Sequence, residues 1–163
     1  MKFTVKDHRL IHGREPVPYR PSPNHGGNII PRIIVIHYTA TPGLASPLSW
    51  LTSPKSGVSA HLLVDKDGAV YQLLPFNVAG WHAGRSEYEG VSGVNAFSVG
   101  IENVGLGDAW PTAQIEANRA IIEALWDAYP IEDVVGHEDV ATPPGRKTDP
   151  GPNYPWTQVV EYA

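Results

Sequence analysis

Ile33-Ile34-Val35-Ile36 is the segment that most limits how this chain can fold. Consecutive β-branched residues favour an extended backbone. Side chains of a strand alternate between its two faces, so an unbroken apolar run needs cover on both sides. That demand predicts an α/β chain: a central mixed β-sheet flanked by helices, with a cleft at one face. His37 ends the run where a central strand would emerge into such a cleft, although a satisfied core histidine would look the same.

The rest of the chain supplies the sheet and its cover. Residues 1–30 predict an irregular, Pro-rich arm packed on the domain, with Pro16, Pro18, Pro21 and Pro23 spaced among polar residues. His8, His12 and His25 lie in it and are expected to have surface or packing roles. Residues 31–163 are expected to form the catalytic domain. Ser46-Pro47-Leu48-Ser49-Trp50-Leu51 predicts a short helix with Ser46 as N-cap. Ser59–Asp65 and Ala69–Leu74 flank Asp67-Gly68 and predict a hairpin. A polar, Gly-rich loop runs from Trp81-His82 to Asn95. Phe97–Val104 predicts a second strand, on which Ser98, Gly100 and Glu102 share a face. Glu102 there is either a solvated edge residue or an acid facing the cleft. Pro111–Tyr129 predicts a long helix whose apolar stripe is Ile115, Ile122, Leu125, Trp126 and Tyr129. Pro155–Val160 begins a short terminal helix.

Gly136–Pro152 is different in kind. It crowds His137, Glu138, Asp139, Arg146, Lys147 and Asp149 among prolines and glycines and lacks the periodic apolar residues of a helix or strand. A rigid polar loop holds side chains in a set arrangement. His137 and Asp149 are candidate ligands of a catalytic zinc, with His37 as the third and Lys147 directed at substrate. Two imidazoles and a carboxylate would leave an open position for water. The spacing is long-range and has no local signature, so the residues alone carry this reading only weakly.

Composition narrows the partners. Net charge is −5 with pI near 5.7, so no global field draws the chain to nucleic acid or an anionic membrane. The chain has no cysteine, which excludes a disulfide framework and thiolate metal ligation. Met1–His8 lacks the apolar core of a secretion signal, and a protein made and folded in the cytoplasm is expected. A monomer is expected.

Several motifs, taken in order, resemble the type-2 N-acetylmuramoyl-L-alanine amidases. They are Ile34–Thr39, Val58-Ser59-Ala60-His61, Trp81-His82-Ala83-Gly84, Ser98–Glu102, Gly136–Asp139 and Gly145–Pro152. That family includes anhydro-muropeptide recycling amidases, phage amidase endolysins and peptidoglycan recognition proteins. The resemblance covers about residues 31–157. It implies zinc ligands at His37, His137 and Asp149, where other branches use cysteine for the third. It implies proton transfer by Glu102 and oxyanion stabilisation by Lys147. Lysozyme-like phage relatives carry a tyrosine where this chain has Ala60, so a tyrosine cannot act at that point. Trp81, His82 and Asn95 match positions near the substrate. His61 lines the cleft or packs near the metal; Glu138 and Asp139 support the ligands or face solvent; Arg146 meets a substrate carboxylate or lies on the surface.

The expected partner is peptidoglycan or a muropeptide fragment, cut between N-acetylmuramic acid and L-alanine. The chain's compactness favours a lytic, endolysin-like role. The alternatives are a cytosolic recycling amidase acting on anhydro-muropeptides and a non-catalytic peptidoglycan-binding module.

Overall fold

The computed structural model describes residues 1–160; residues 161–163 of the expected catalytic domain lie outside them. In chain order the strands are β1 (Phe3–Lys6), β2 (Arg9–His12), β3 (Glu15–Pro16), β4 (His25–Asn28), β5 (Ile33–Tyr38), β6 (Leu62–Val64), β7 (Val70–Gln72), β8 (Val78–Gly80), β9 (Glu87–Tyr88), β10 (Val91–Ser92), β11 (Ser98–Asn103) and β12 (Asp133–Gly136). The helices are α1 (Ala45–Leu51), α2 (Thr112–Ala128), α3 (His137–Val140) and α4 (Trp156–Val159), and a 3₁₀ turn spans Val94–Phe97.

The central sheet has the order β12-β5-β11-β6-β7. Only β7 runs antiparallel to its neighbour, so the sheet is mixed, as expected. β5 shows why an unbroken apolar run was needed. Ile34 and Ile36 enter the core built with Ile121, Ile122 and Leu125 of α2. Ile33 and Val35 enter a second core with Ala83, Val94 and Val140. Each such side chain removed from water contributes about 1.5–3 kcal/mol, so both faces of this strand stabilise the sheet.

α2 rests on the sheet by a face that includes Ile122 and Leu125 of the predicted stripe but is centred on smaller residues. Ala117, Ala120, Ile121 and Ala124 are buried along with Gln114 and Asn118, while Ile115, Trp126 and Tyr129 pack at its flanks. The alanines let the helix axis approach closely, and the two polar side chains are satisfied. Gln114 donates to the Val64 and Val104 carbonyls, and Asn118 exchanges hydrogen bonds with Asn103.

The arm is more regular than its prolines suggested. β1, β2 and β3 form an antiparallel sheet, and Phe3, Leu10 and Val17 bury into the main core. The strands are short enough that each contributes only one or two apolar anchors, too few to show a period. β4 then pairs with β8, which leads directly into Trp81. His12 and His25 are exposed, and His8 Nδ1 lies 2.6 Å from the Tyr129 hydroxyl. α1 is capped by Leu44 with no side-chain cap, rather than by Ser46.

Candidate active site

Parallel pairing assembles the site. β11 and β5 run in register with Glu102 beside His37, and β12 pairs with β5 so that Gly136 sits beside Ile36. The residue after Gly136 is His137. Three functional side chains therefore leave the carboxyl ends of three adjacent strands, the usual position of a site in an open α/β sheet. His137 does not lie in a loop, as the missing apolar period suggested. It starts the single turn α3, whose first turn is held by Asp139 Oδ2 accepting from Gly136 N at 2.7 Å. The loop then folds back, and Glu138 N donates to the Asp149 carbonyl at 2.8 Å, bringing Asp149 to the strand ends.

His37 Nδ1 lies 3.1 Å from His137 Nδ1 and 3.1 Å from Asp149 Oδ2, and His137 Nδ1 lies 3.2 Å from the same oxygen. All three residues are buried. The His137 Nε2 is 2.9 Å from the Ala83 carbonyl, which can only accept. A neutral His137 thus carries its proton on Nε2 and presents a bare Nδ1 to the other two groups. Lone pairs of two imidazoles and a carboxylate converging this closely repel one another unless a cation or proton lies among them. The donor set of two nitrogens and one oxygen suits a divalent metal. These residues form a His-His-Asp group able to hold one.

Glu102 stands next to it. Its Oε1 is 3.9 Å from His37 Nδ1, and its Oε2 is buried with no hydrogen-bond partner. Burial, then the nearby Asp149 carboxylate, pushes the Glu102 carboxyl well above 4.5, while Lys147 pulls it back. Burial also works to raise Asp149, but its two imidazole neighbours, His137 and His37, favour its charged form and hold it well below the usual range. Burial lowers His37 and keeps it neutral. Lys147 is exposed and lines the same cavity of about 480 Å³ as the triad and Glu102.

The remaining candidates divide. Trp81 is 40% exposed and lines the cavity. His82 touches the cavity but is largely buried, its ring directed at His37 and Ser98. Asn95 is not at the cavity wall; its Oδ1 accepts from the backbone N–H groups of His82 and Ala83. His61 is fully buried, donating from Nε2 to the Val78 carbonyl and accepting at Nδ1 from Gly100 N, and burial pulls it down to about 4. Arg146 lines the cavity, and its guanidinium donates to the Thr142, Ala83 and Arg85 carbonyls. It therefore shares the Ala83 oxygen with His137. Trp50, 59% exposed on α1, also lines the cavity and was not singled out from sequence. Its only signal there was its place on a short helix just after the His37 strand.

Residues 27–152 match the family described as N-acetylmuramoyl-L-alanine amidase. The chain is 44% identical over 104 residues to the 1,6-anhydro-N-acetylmuramyl-L-alanine amidase AmpD of Escherichia coli, a match covering 62% of this chain and 56% of that protein. The match thus spans little more than half of that relative's length. A crystal structure of a selenomethionine derivative of AmpD superposes with a TM-score of 0.84 at 31% identity, covering 95% of this chain and 96% of that one. The E. coli amidase AmiD, solved in complex with anhydro-N-acetylmuramic acid-L-Ala-D-γ-Glu-L-Lys, superposes with a TM-score of 0.72 at 31% identity, covering 98% of this chain and 65% of that one.

Proposed function

The chain belongs to the N-acetylmuramoyl-L-alanine amidase family, and from that premise we propose that it is a zinc enzyme hydrolysing the amide between N-acetylmuramic acid and L-alanine in soluble anhydro-muropeptides. The observation that carries this reading is the convergence of His37 Nδ1, His137 Nδ1 and Asp149 Oδ2 beside the Glu102 carboxyl, whose buried Oε2 has no hydrogen-bond partner. The E. coli AmpD relative is named for the anhydro sugar, and a similar solved amidase holds an anhydro-muramoyl peptide. Both support the released fragment over the intact wall that the chain's compactness suggested. A cavity of about 480 Å³ is of the size that takes a small ligand. A complete donor triad with Glu102 and Lys147 favours an enzyme over a passive wall-binding module.

Zinc held by His37, His137 and Asp149 would supply positive charge that makes a water more acidic and polarises the amide carbonyl. The protein's own groups carry the protons and the charge. Glu102 accepts the proton of the attacking water at its carboxylate, then returns it to the departing amine nitrogen. A carboxyl pushed up by burial suits both halves of that cycle near neutral pH. Lys147, on the exposed side of the cavity, faces the carbonyl oxygen as negative charge grows on it. Trp81 and Trp50 provide apolar wall for the rest of the ligand.

The test is incubation of zinc-loaded protein with purified anhydro-muropeptide and, separately, with intact sacculi, products being read by mass spectrometry. Release of an L-alanine-terminated peptide from the soluble fragment, abolished by a chelator, is expected. Cleavage of sacculi alone would return the lytic reading, and no cleavage of either would remove the amidase reading.

A further inference from the structure

The face of β11 that carries Glu102 also carries Ser98 and Gly100, and both of these meet His82. Ser98 Oγ lies 3.0 Å from His82 Nε2. Gly100 leaves open the space that the His82 ring occupies. The other ring nitrogen, His82 Nδ1, lies 3.0 Å from His37 Nε2, with the two rings edge to face at 87°. The His82 backbone is itself held by Asn95 Oδ1.

Each of the other two buried histidines beside it has its proton fixed by a carbonyl. His137 Nε2 meets the Ala83 oxygen and His61 Nε2 meets the Val78 oxygen, neither of which can donate. His37 has no such carbonyl on its ring; its Nδ1 faces the Asp149 carboxylate at 3.1 Å, which only accepts and draws the proton to that side. Its Nε2 faces another imidazole, which can donate or accept, so the proton's place on His37 is a competition between Asp149 on one side and the next partner along on the other. If His82 donates from Nε2 to Ser98, its Nδ1 is bare and accepts from His37 Nε2–H. His37 Nδ1 is then a free lone pair aimed at the metal position. In the opposite register His37 Nδ1 carries the hydrogen, points it at Asp149, and cannot ligate.

We infer that His82 and Ser98 are positioning residues which hold His37 in its metal-ligating tautomer. The assignment rests on the metal reading above. It gives His82 a role behind the ligand rather than against the substrate. Partners of this kind behind a metal-bound imidazole typically govern about 10–100-fold in metal affinity.

The experiment compares wild type with His82→Phe, which keeps a ring without an acceptor, with His82→Asn, which keeps an acceptor near the Nδ1 position, and with Ser98→Ala. Zinc affinity is measured by chelator competition. Long-range ¹H–¹⁵N spectra of the metal-free proteins report the His37 tautomer directly. His82→Phe and Ser98→Ala are expected to lose affinity about 10–100-fold and to show His37 protonated at Nδ1, with His82→Asn retaining much of the wild-type behaviour. Unchanged tautomer and affinity in both Ser98→Ala and His82→Phe would overturn the inference. If His82→Phe does not fold, the Ser98→Ala spectra decide alone. A wild type that binds no zinc would remove the metal reading instead, and the tautomer spectra would still test the relay.

Discussion

Gly100 approaches the His82 ring so closely that a Cβ built on it would lie 2.4 Å from the ring's Cγ. No rotamer change of the glycine's own can relieve that contact, so Gly100→Ala must displace either the ring or β11. Overpacking of this kind costs about 1–3 kcal/mol. The expected result is a lower urea midpoint and weaker zinc binding. Gly27→Ala, where an added Cβ meets nothing within 4 Å, is the control. Equal midpoints for the two variants would mean that the strand face yields freely.

Metal should stabilise the folded chain as well as activate it. Without a cation the converging His37, His137 and Asp149 atoms at 3.1–3.2 Å hold their lone pairs against one another. A ligand present at a thousand times its Kd and bound only to the folded state adds about 4 kcal/mol. Zinc should therefore raise the wild-type melting temperature by several degrees, and His137→Ala should lose most of that rise. An equal rise in both proteins would place the metal elsewhere.

Glu102→Gln separates catalysis from stability. Burial raises the folded carboxyl well above its ordinary 4.5. Below that value both folded and unfolded chains are protonated, and burial of the neutral acid carries no charge penalty. As pH rises through 4.5 the unfolded chain ionises first, so wild-type stability falls until the folded group ionises too. The metal-free glutamine variant lacks this loss. It should be more stable than metal-free wild type at neutral pH and lose that advantage near pH 4, and the zinc-loaded variant should have almost no amidase activity where zinc-loaded wild type is active. A pH-independent difference would mean that Glu102 is ionised in the fold.

Lys147→Met should keep zinc affinity close to wild type and lose about 10²–10³-fold in kcat, as removal of one oxyanion donor does elsewhere. Steady-state kinetics on the soluble substrate with a parallel metal titration checks this. Loss of zinc together with activity would make the lysine a support of the loop instead.

The legible and illegible parts of this chain differ in physical kind. β5 and β11 lie within a residue of their predicted ends: burial on two faces forces an uninterrupted apolar run in β5, and Val99 and Ile101 alternating with Ser98, Gly100 and Glu102 mark β11. The triad was invisible to spacing, since His37 and His137 meet only through the parallel register of β12 on β5. The rigid polar loop pointed to His137 and Asp149 and the end of the β5 run to His37, and the family resemblance joined them into one set. The slot for His82 could not be read either. Gly100 shows in sequence only as a small residue on the Glu102 face, and its missing Cβ acquires meaning when β8 and the following turn bring the ring over it. The α2 stripe was read in part: Ile122 and Leu125 are buried as predicted, but bulk also drew attention to Trp126 and Tyr129 at the flanks, while the alanines that complete the contact went unread. One-turn α3 and the arm strands are too short to display a period at all.

Trp50 and Trp81 line the same cavity, and among the described residues they are the large aromatic side chains counted as exposed. An exposed indole at 59% gains little for the fold, so Trp50→Ala should leave stability within about 0.5 kcal/mol of wild type. Covering its face with the apolar side of a sugar or an alanyl group would recover area that the free protein leaves in water. At roughly 25 cal/mol per Å², covering about 50–80 Å² amounts to about 1–2 kcal/mol, or some 10-fold in affinity. The indole is on α1, which carries none of the metal-ligating or proton-transferring groups, so that contact is expected to be the same in ground and transition states. Such uniform binding appears in KM and leaves kcat unchanged. Trp50→Ala is therefore expected to raise KM for a soluble anhydro-muropeptide about 5–20-fold at constant kcat, with Trp50→Phe intermediate. Steady-state kinetics at saturating zinc measures both constants. A fall in kcat at unchanged KM would show instead that α1 moves during the reaction or helps to place the scissile amide.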